Sequence, residues 1–211
     1  GNTVLFTAIE KRNKPLIELY LEYGAECNIQ NLLAETPYHK VLFTAVDSDI
    51  FDMLNNYEPI RLDLKNKQNQ TIFFEFVNYG GSSWSNSQIE LLHKLLDNGA
   101  DLYQTENNIY NVSLTPAQIL GKKSFALFEM MVNQDDFNPN QQDNQGNTWL
   151  HYVCSEDLNF DQQKAQELYK KVKLLLKKGA DPKQTNDQDK TAIDYAQSDD
   201  LKVKALALLL K

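Results

Sequence analysis

One short pattern recurs along this chain and constrains its fold more than any other feature: a polar or small pair, a threonine, then the start of an apolar helix. It reads Gly1-Asn2-Thr3-Val4-Leu5-Phe6, Ala34-Glu35-Thr36-Pro37-Tyr38-His39 and Asn69-Gln70-Thr71-Ile72-Phe73-Phe74. It continues as Ser113-Leu114-Thr115-Pro116-Ala117-Gln118, Gly146-Asn147-Thr148-Trp149-Leu150-His151 and Asp189-Lys190-Thr191-Ala192-Ile193-Asp194. The six threonines are spaced 33, 35, 44, 33 and 43 residues apart, so a base period of 33 with insertions fits every interval. Self-similarity at such a period marks an array of stacked units rather than one closed core.

A second signal follows the first, where a leucine-rich helix ends in Gly-Ala and an acidic residue: Leu16 to Tyr23 before Gly24-Ala25-Glu26, Ile89 to Asn98 before Gly99-Ala100-Asp101, and Val172 to Lys178 before Gly179-Ala180-Asp181. Glycine there supplies the left-handed turn that stops a helix without a side-chain clash. Each unit therefore reads as helix, turn, helix, sharp stop and extended loop. Leu5, Ala8 and Ile9 line one short helix and Leu16, Ile17, Leu19 and Tyr20 the next, at three- and four-residue spacing. One such pair leaves an apolar face uncovered. Stacking buries it at roughly 25 cal/mol per Å² of apolar area, so neighbouring units stabilise one another. The threonine hydroxyl is expected to accept an amide of the first helical turn, with Pro37 and Pro116 placed where no amide is needed.

These residues resemble the ankyrin repeat, whose pattern is Gly-x-Thr-Pro-Leu-His-x-Ala followed by Leu-Leu and Gly-Ala-Asp. Thr36-Pro37-Tyr38-His39, Thr115-Pro116-Ala117 and Thr148-Trp149-Leu150-His151 carry the first part; Leu95-Leu96-Asp97-Asn98-Gly99-Ala100-Asp101 and Leu175-Leu176-Lys177-Lys178-Gly179-Ala180-Asp181 carry the second. The resemblance implies an all-α ankyrin-repeat solenoid of about six helix-turn-helix units, with degenerate repeats and two longer insertions. It is read as a single domain over 1–211, with repeats at roughly 1–33, 34–68, 69–112, 113–145, 146–188 and 189–211. Asn56-Tyr57-Glu58-Pro59-Ile60 and Asn133-Gln134-Asp135-Asp136-Phe137 stand where Gly-Ala should end the outer helices of the second and fourth units, so those ends should deviate. His39 and His151 fill the motif's histidine slot, which implies local bonding to backbone. The Asn- and Gln-rich texture is similar to that of ankyrin proteins secreted into host cells by intracellular bacteria such as Legionella, which implies an effector acting in the host cytoplasm; otherwise a cytoplasmic location is expected.

Twenty-one Lys and Arg against 29 Asp and Glu give a formal charge of -8, which disfavours a phosphate backbone, so no nucleic acid is expected. Lys170, Lys171, Lys173, Lys177 and Lys178 cluster on one predicted helix, running from Asp161 to Lys178, and read as its solvated face, with a docking surface for an acidic partner as the alternative. Cys27 and Cys154 are too few for a disulfide framework and make no zinc motif. The longest strongly apolar run, Ala205 to Leu210, is far shorter than the roughly 20 residues that span a bilayer, so no membrane insertion is expected. A start at Gly1 and an apolar finish lead us to expect further domains in a longer protein.

No phosphate cradle, His-Glu-x-x-His or nucleophile elbow is present, so no catalytic residue, cofactor or metal is assigned. Cys154 with His151, one helical turn apart, is read as packing rather than as a nucleophile and base, and the pairs Asp135-Asp136 and Asp199-Asp200 as loop and cap residues. What remains is binding. The resemblance places the position after the histidine slot on a concave groove; it holds Thr7, Lys40, Glu75, Ile119, Tyr152 and Tyr195. The insertion Tyr79-Gly80-Gly81-Ser82-Ser83-Trp84-Ser85-Asn86 offers Trp84, either covering the helix ends or anchoring a partner, and the long loop of the fourth unit offers Tyr103 and Tyr110. A protein partner bound through groove and loops is the expected function, with a substrate-recruiting segment of a larger enzyme or secreted effector as the alternative.

Overall fold

The computed structural model describes residues 1–81, 84–134, 137–197 and 199–210. Ser82, Ser83, Asp135 and Asp136 lie outside these described residues. The chain divides into two compact units: Gly1–Asp101 with Glu106–Ser113, and Leu102–Thr105 with Leu114–Lys211.

The first unit contains α1 (Val4–Glu10), α2 (Lys14–Glu22), α3 (Pro37–Lys40) continuing into a wider turn at Val41–Ala45, α4 (Ser48–Tyr57), α5 (Ile72–Tyr79) and α6 (Asn86–Asp97). Short β1 (Glu106–Asn107) and β2 (Ser113–Leu114) form a hairpin. The helices pack serially: α1 against α2 and α3, α2 against α4, and α4 against α6. The inner-helix stripe is present, with Leu5, Ala8 and Ile9 buried; of the outer-helix residues expected to share it Ile17 is buried, Leu16 and Tyr20 are partly exposed and Leu19 is exposed, while Leu21, outside that expectation, is buried. The second unit contains α7 (Pro116–Gly121), α8 (Phe125–Val132), α9 (Trp149–Cys154), α10 (Gln162–Lys177), α11 (Ala192–Ala196), a 3-10 turn at Asp200–Lys202 and α12 (Val203–Leu209). Here α9 packs between α7 and α11, and α10 between α8 and α12. Gly24, Gly99 and Gly179 stop their helices at φ of 82°, 88° and 89°. α4 instead ends without glycine, its cap Glu58 turning extended. Glu58 then bridges backward: its carboxylate accepts from the Cys27 amide and from Asn28 at 2.9 Å, and its carbonyl from the Tyr38 hydroxyl at 2.7 Å.

Thr3 makes no side-chain cap bond, and the other five motif threonines are bonded in three ways that follow the residue three positions on. Thr115 and Thr191 make reciprocal boxes with Gln118 and Asp194, the hydroxyls accepting at 3.2 and 3.3 Å. Thr36 and Thr148 instead have their amides donating to Nδ1 of His39 and His151, at 2.9 and 3.0 Å, with the hydroxyls against the same nitrogen. Thr71 accepts from the Phe74 amide at 3.2 Å, but phenylalanine has no acceptor to return. Buried Glu106, from the hairpin 35 residues on, supplies it: its carboxylate accepts from the Thr71 amide and hydroxyl, each at 2.6 Å.

Sequence reading missed two buried lysines of the second unit. Lys171, assigned above to a solvated face, is buried: Nζ donates to the Gly121 carbonyl at 3.0 Å, lies 3.7 Å from Glu156 and sits over the Phe128 ring. Lys202 likewise donates to the Cys154 carbonyl at 2.7 Å. Helix α10 and the 3-10 turn ahead of α12 thus each send a cation to the carboxyl end of the inner helix one repeat earlier, where orphan carbonyls and the helix dipole favour positive charge. Long aliphatic stems make that reach compatible with burial.

Replacing Glu106 by alanine should lower unfolding free energy by about 1–3 kcal/mol, because a buried amide loses a charged acceptor. Urea titration would show a lower midpoint at unchanged slope, with Glu106→Gln in between; an unshifted midpoint would discard this capping role.

Candidate functional site

In the first unit, Lys40 and Glu75 stand on the inner helices and are both partly exposed. Lys40 Nζ lies 3.1 Å from Glu35 and 3.7 Å from Glu10, while Glu75 accepts from Asn66 at 2.9 Å. Burial pushes the Glu35 carboxyl up, but the Asn31 amide and the Lys40 charge outweigh it and hold it below the usual range. Burial raises Glu75, against the opposing Asn66 bond. Buried His39 has Nε2 3.6 Å from Glu75 and otherwise unpartnered, and burial lowers its pKa to about 4. Thr7 is exposed. Trp84 lies against its own turn: it meets Phe76 edge-on at 4.9 Å, donates to the Gly81 carbonyl at 3.0 Å and covers Gly80 so closely that a Cβ there would strike the ring. Tyr110 stands out in solvent at 79 % exposure.

In the second unit the outcome differs. Tyr152, expected on the open row, is 2 % exposed. The register is the one the motif gives; the preceding repeat has glycine at the facing position, and a Cβ on Gly121 would lie only 3.1 Å from that of Tyr152, so the tyrosine moves into the space a side chain would take. Trp149 closes on its ring at 6.0 Å. Tyr103 is half-buried, its hydroxyl accepting from Trp149 Nε1 at 2.8 Å. Ile119 and Tyr195 are partly exposed; the Tyr195 hydroxyl accepts from Asn186 at 3.1 Å and its ring meets His151 edge-on. His151 donates from Nε2 to the Lys190 carbonyl at 3.0 Å, the local backbone bond that the resemblance implies.

A further set of positioned residues was not foreseen. Five hairpins repeat one geometry. Asn31, Asn66, Asn108, Asp143 and Asn186 each accept, through one side-chain oxygen, from the amides two and four residues on, at 2.8 to 3.0 Å. Their own amides donate to the carbonyl four residues on, and the residue three on takes positive φ: Ala34, Asn69, Asn111, Gly146 and Asp189. In the first unit Gln30 donates to the Lys65 carbonyl at 2.9 Å and Gln70 to the Asn107 carbonyl at 2.7 Å, tying successive hairpins together. In the second, Gln142 does so to the Thr185 carbonyl at 3.0 Å. The signal was available as an Asn or Asp five residues ahead of Thr36, Thr71, Thr148 and Thr191.

Burial lifts the thiols of Cys27 and Cys154 to about 12, so both stay protonated near neutrality. Among the described residues no group of three or more His, Cys, Asp or Glu could hold a metal, and no helix is long and apolar enough to cross a membrane. Asp199 caps the 3-10 turn at the Leu201 amide.

Helix pairs joined by tied hairpins, each opened by Thr and a three-residue cap, decide the architecture. The fold is that of the ankyrin repeat. Residues 1–29 match the family model described as ankyrin repeat. Among solved structures, the ankyrin repeat protein EF0377 is similar over 100% of this chain and 98% of its own, at TM-score 0.67 and 16% identity. The ankyrin repeat domain of Bcl-3, described as a unique member of the IkappaB family, is similar over 100% and 99%, at 0.62 and 19%. A chain from the Bdellovibrio bacteriovorus complex of predatory endopeptidase Bd0816 with immunity protein Bd3460 is similar over 99% and 98%, at 0.64 and 20%. No curated protein sequence matches the chain.

Two outcomes follow from the buried aromatics and histidines. Tyr152→Ala should cost roughly 3–5 kcal/mol through the cavity it opens, seen as a large fall in Tm; a melt like that of the parent chain would return Tyr152 to the surface row. The His39 pKa is depressed from 6.5 to about 4, so as pH falls the unfolded chain takes up its proton first. Stability present above pH 6.5 should drain away toward pH 4, by about 2 kcal/mol between pH 7 and pH 5. His39→Gln should remove that part of the pH slope in parallel urea titrations; an identical slope in both proteins would contradict it.

Proposed function

We propose that this chain is a protein-interaction module that seats a partner against the inner-helix row and the hairpins. The observation that carries this reading is the ordered polar row of the first unit. Lys40 is held between Glu10 and Glu35, and Glu75 is held by Asn66, on helices whose apolar side chains are buried. Side chains fixed before binding lose little entropy on docking, and charges placed on a rigid support select among partners more than they add affinity. The relatives agree in kind: one similar chain comes from a complex with an immunity protein, and another is the repeat domain of an IkappaB family member. Within the Asn- and Gln-rich texture, the Gln30, Gln70 and Gln142 amides tie hairpins together.

Affinity capture with the intact chain, quantified by mass spectrometry, should recover a protein whose yield drops several-fold with Lys40→Ala and with Glu75→Ala. Thermal melts of both variants should stay near that of the parent. Equal recovery with all three baits would remove the inner-helix row from the binding surface.

A further inference from the structure

The hairpins are built alike but not topped alike. Between the Asx residue and the positive-φ residue each carries two summit positions. In the second unit these are Asn144-Gln145 and Asp187-Gln188, and in the first they are Leu32-Leu33, Lys67-Gln68 and Ile109-Tyr110. Leu32 is 76 % exposed and Tyr110 79 %, with Leu33, Ile109 and Val112 also in solvent. Side chains standing at a hairpin summit contribute nothing to a helical core, and clustered exposed apolar groups mark interaction sites. The supports are stiff: both apolar summits rest on Asx bonds, and the Gln30 and Gln70 rungs tie each to the middle hairpin, which carries Lys67.

The charge of this edge is opposite to that of the chain. Lys65 and Lys67 are exposed and make no ion pair among the described residues. Four carboxylates of the first unit are engaged elsewhere: Glu106 is turned inward onto Thr71, Glu35 is paired with Lys40, Asp63 with Arg61, and Glu75 accepts from Asn66. On a chain of formal charge -8, the first unit therefore presents two apolar summits with a cationic one between them. We propose that this row of hairpins docks an acidic segment of a partner protein, one whose carboxylate meets Lys65 and Lys67 and whose flanking apolar side chains pack on Leu32-Leu33 and on Ile109-Tyr110. The proposal rests on the protein-binding reading and names the chemistry of the partner. An anionic bilayer offers similar groups, but stable attachment takes a larger basic cluster than two lysines.

The test is selection of a random dodecapeptide phage library on the intact chain, followed by fluorescence polarisation with one enriched, synthesised peptide. Enriched sequences should share an Asp or Glu with large apolar neighbours. The double variants L32S/L33S and I109S/Y110S, whose melts should match the parent because these side chains are exposed, should each weaken binding at least tenfold. K67E should do the same and be rescued by exchanging the peptide's acidic residue for lysine. Peptides that bind equally well to all summit variants but lose affinity with Lys40→Ala would overturn this inference and leave the protein-binding reading standing. Failure to enrich any sequence would count against both. Summit-dependent binding to phosphatidylserine vesicles without peptide enrichment would reassign the row to membranes.

Discussion

Apolar stripes that no helix pair can cover alone hold this protein in place. Leu5, Ile9 and Ile17, or Leu168, Val172 and Leu175, are buried because a neighbouring pair lies over them. With stability approximated as a sum of unit and nearest-neighbour contributions, everything outside those stripes is free to vary so long as it does not obstruct the stacking. Polar caps, hairpin tips and inner-helix rows are elaborated on that condition, which is why three kinds of threonine cap coexist in one chain.

The period, the helix pairs and the glycine stops were legible in the sequence because they follow from local chemistry repeated at fixed spacing. Thr36 with His39 and Thr115 with Gln118 each announce a helix start within four residues. What escaped reading depends on contacts between residues about a period or more apart. Lys171 looks like a surface residue until the Gly121 carbonyl one repeat earlier is found within its reach. Tyr152 occupies the right register for exposure, yet a missing side chain on the preceding helix draws it inward. The partner of Thr71 lies 35 residues downstream, where no window centred on the helix would find it. In a stacked fold the environment of a residue is set as much by its counterpart one period away as by its own neighbours.

The same principle changes the meaning of composition. Abundant Asn and Gln form a texture in the sequence; in the structure Asn31, Asn66, Asn108 and Asn186 are hairpin pivots and Gln30, Gln70 and Gln142 are rungs. An amide suits both tasks because it donates and accepts without charge, so a row of them can lie close together without repulsion. Carboxylates could serve as pivots, as Asp143 does, but an amide, unlike an ionised carboxylate, can also donate to a neighbouring backbone carbonyl.

The borrowed carboxylate of Glu106 sets an order of events for a chain emerging from the ribosome. Helix α5 leaves the exit tunnel well before the residue that completes its amino end, so for an interval its first turn must rely on water and the Thr71 hydroxyl alone. Both ends of the third repeat are thereby joined, since the start of α5 is complete only when the hairpin that closes the same repeat is in place.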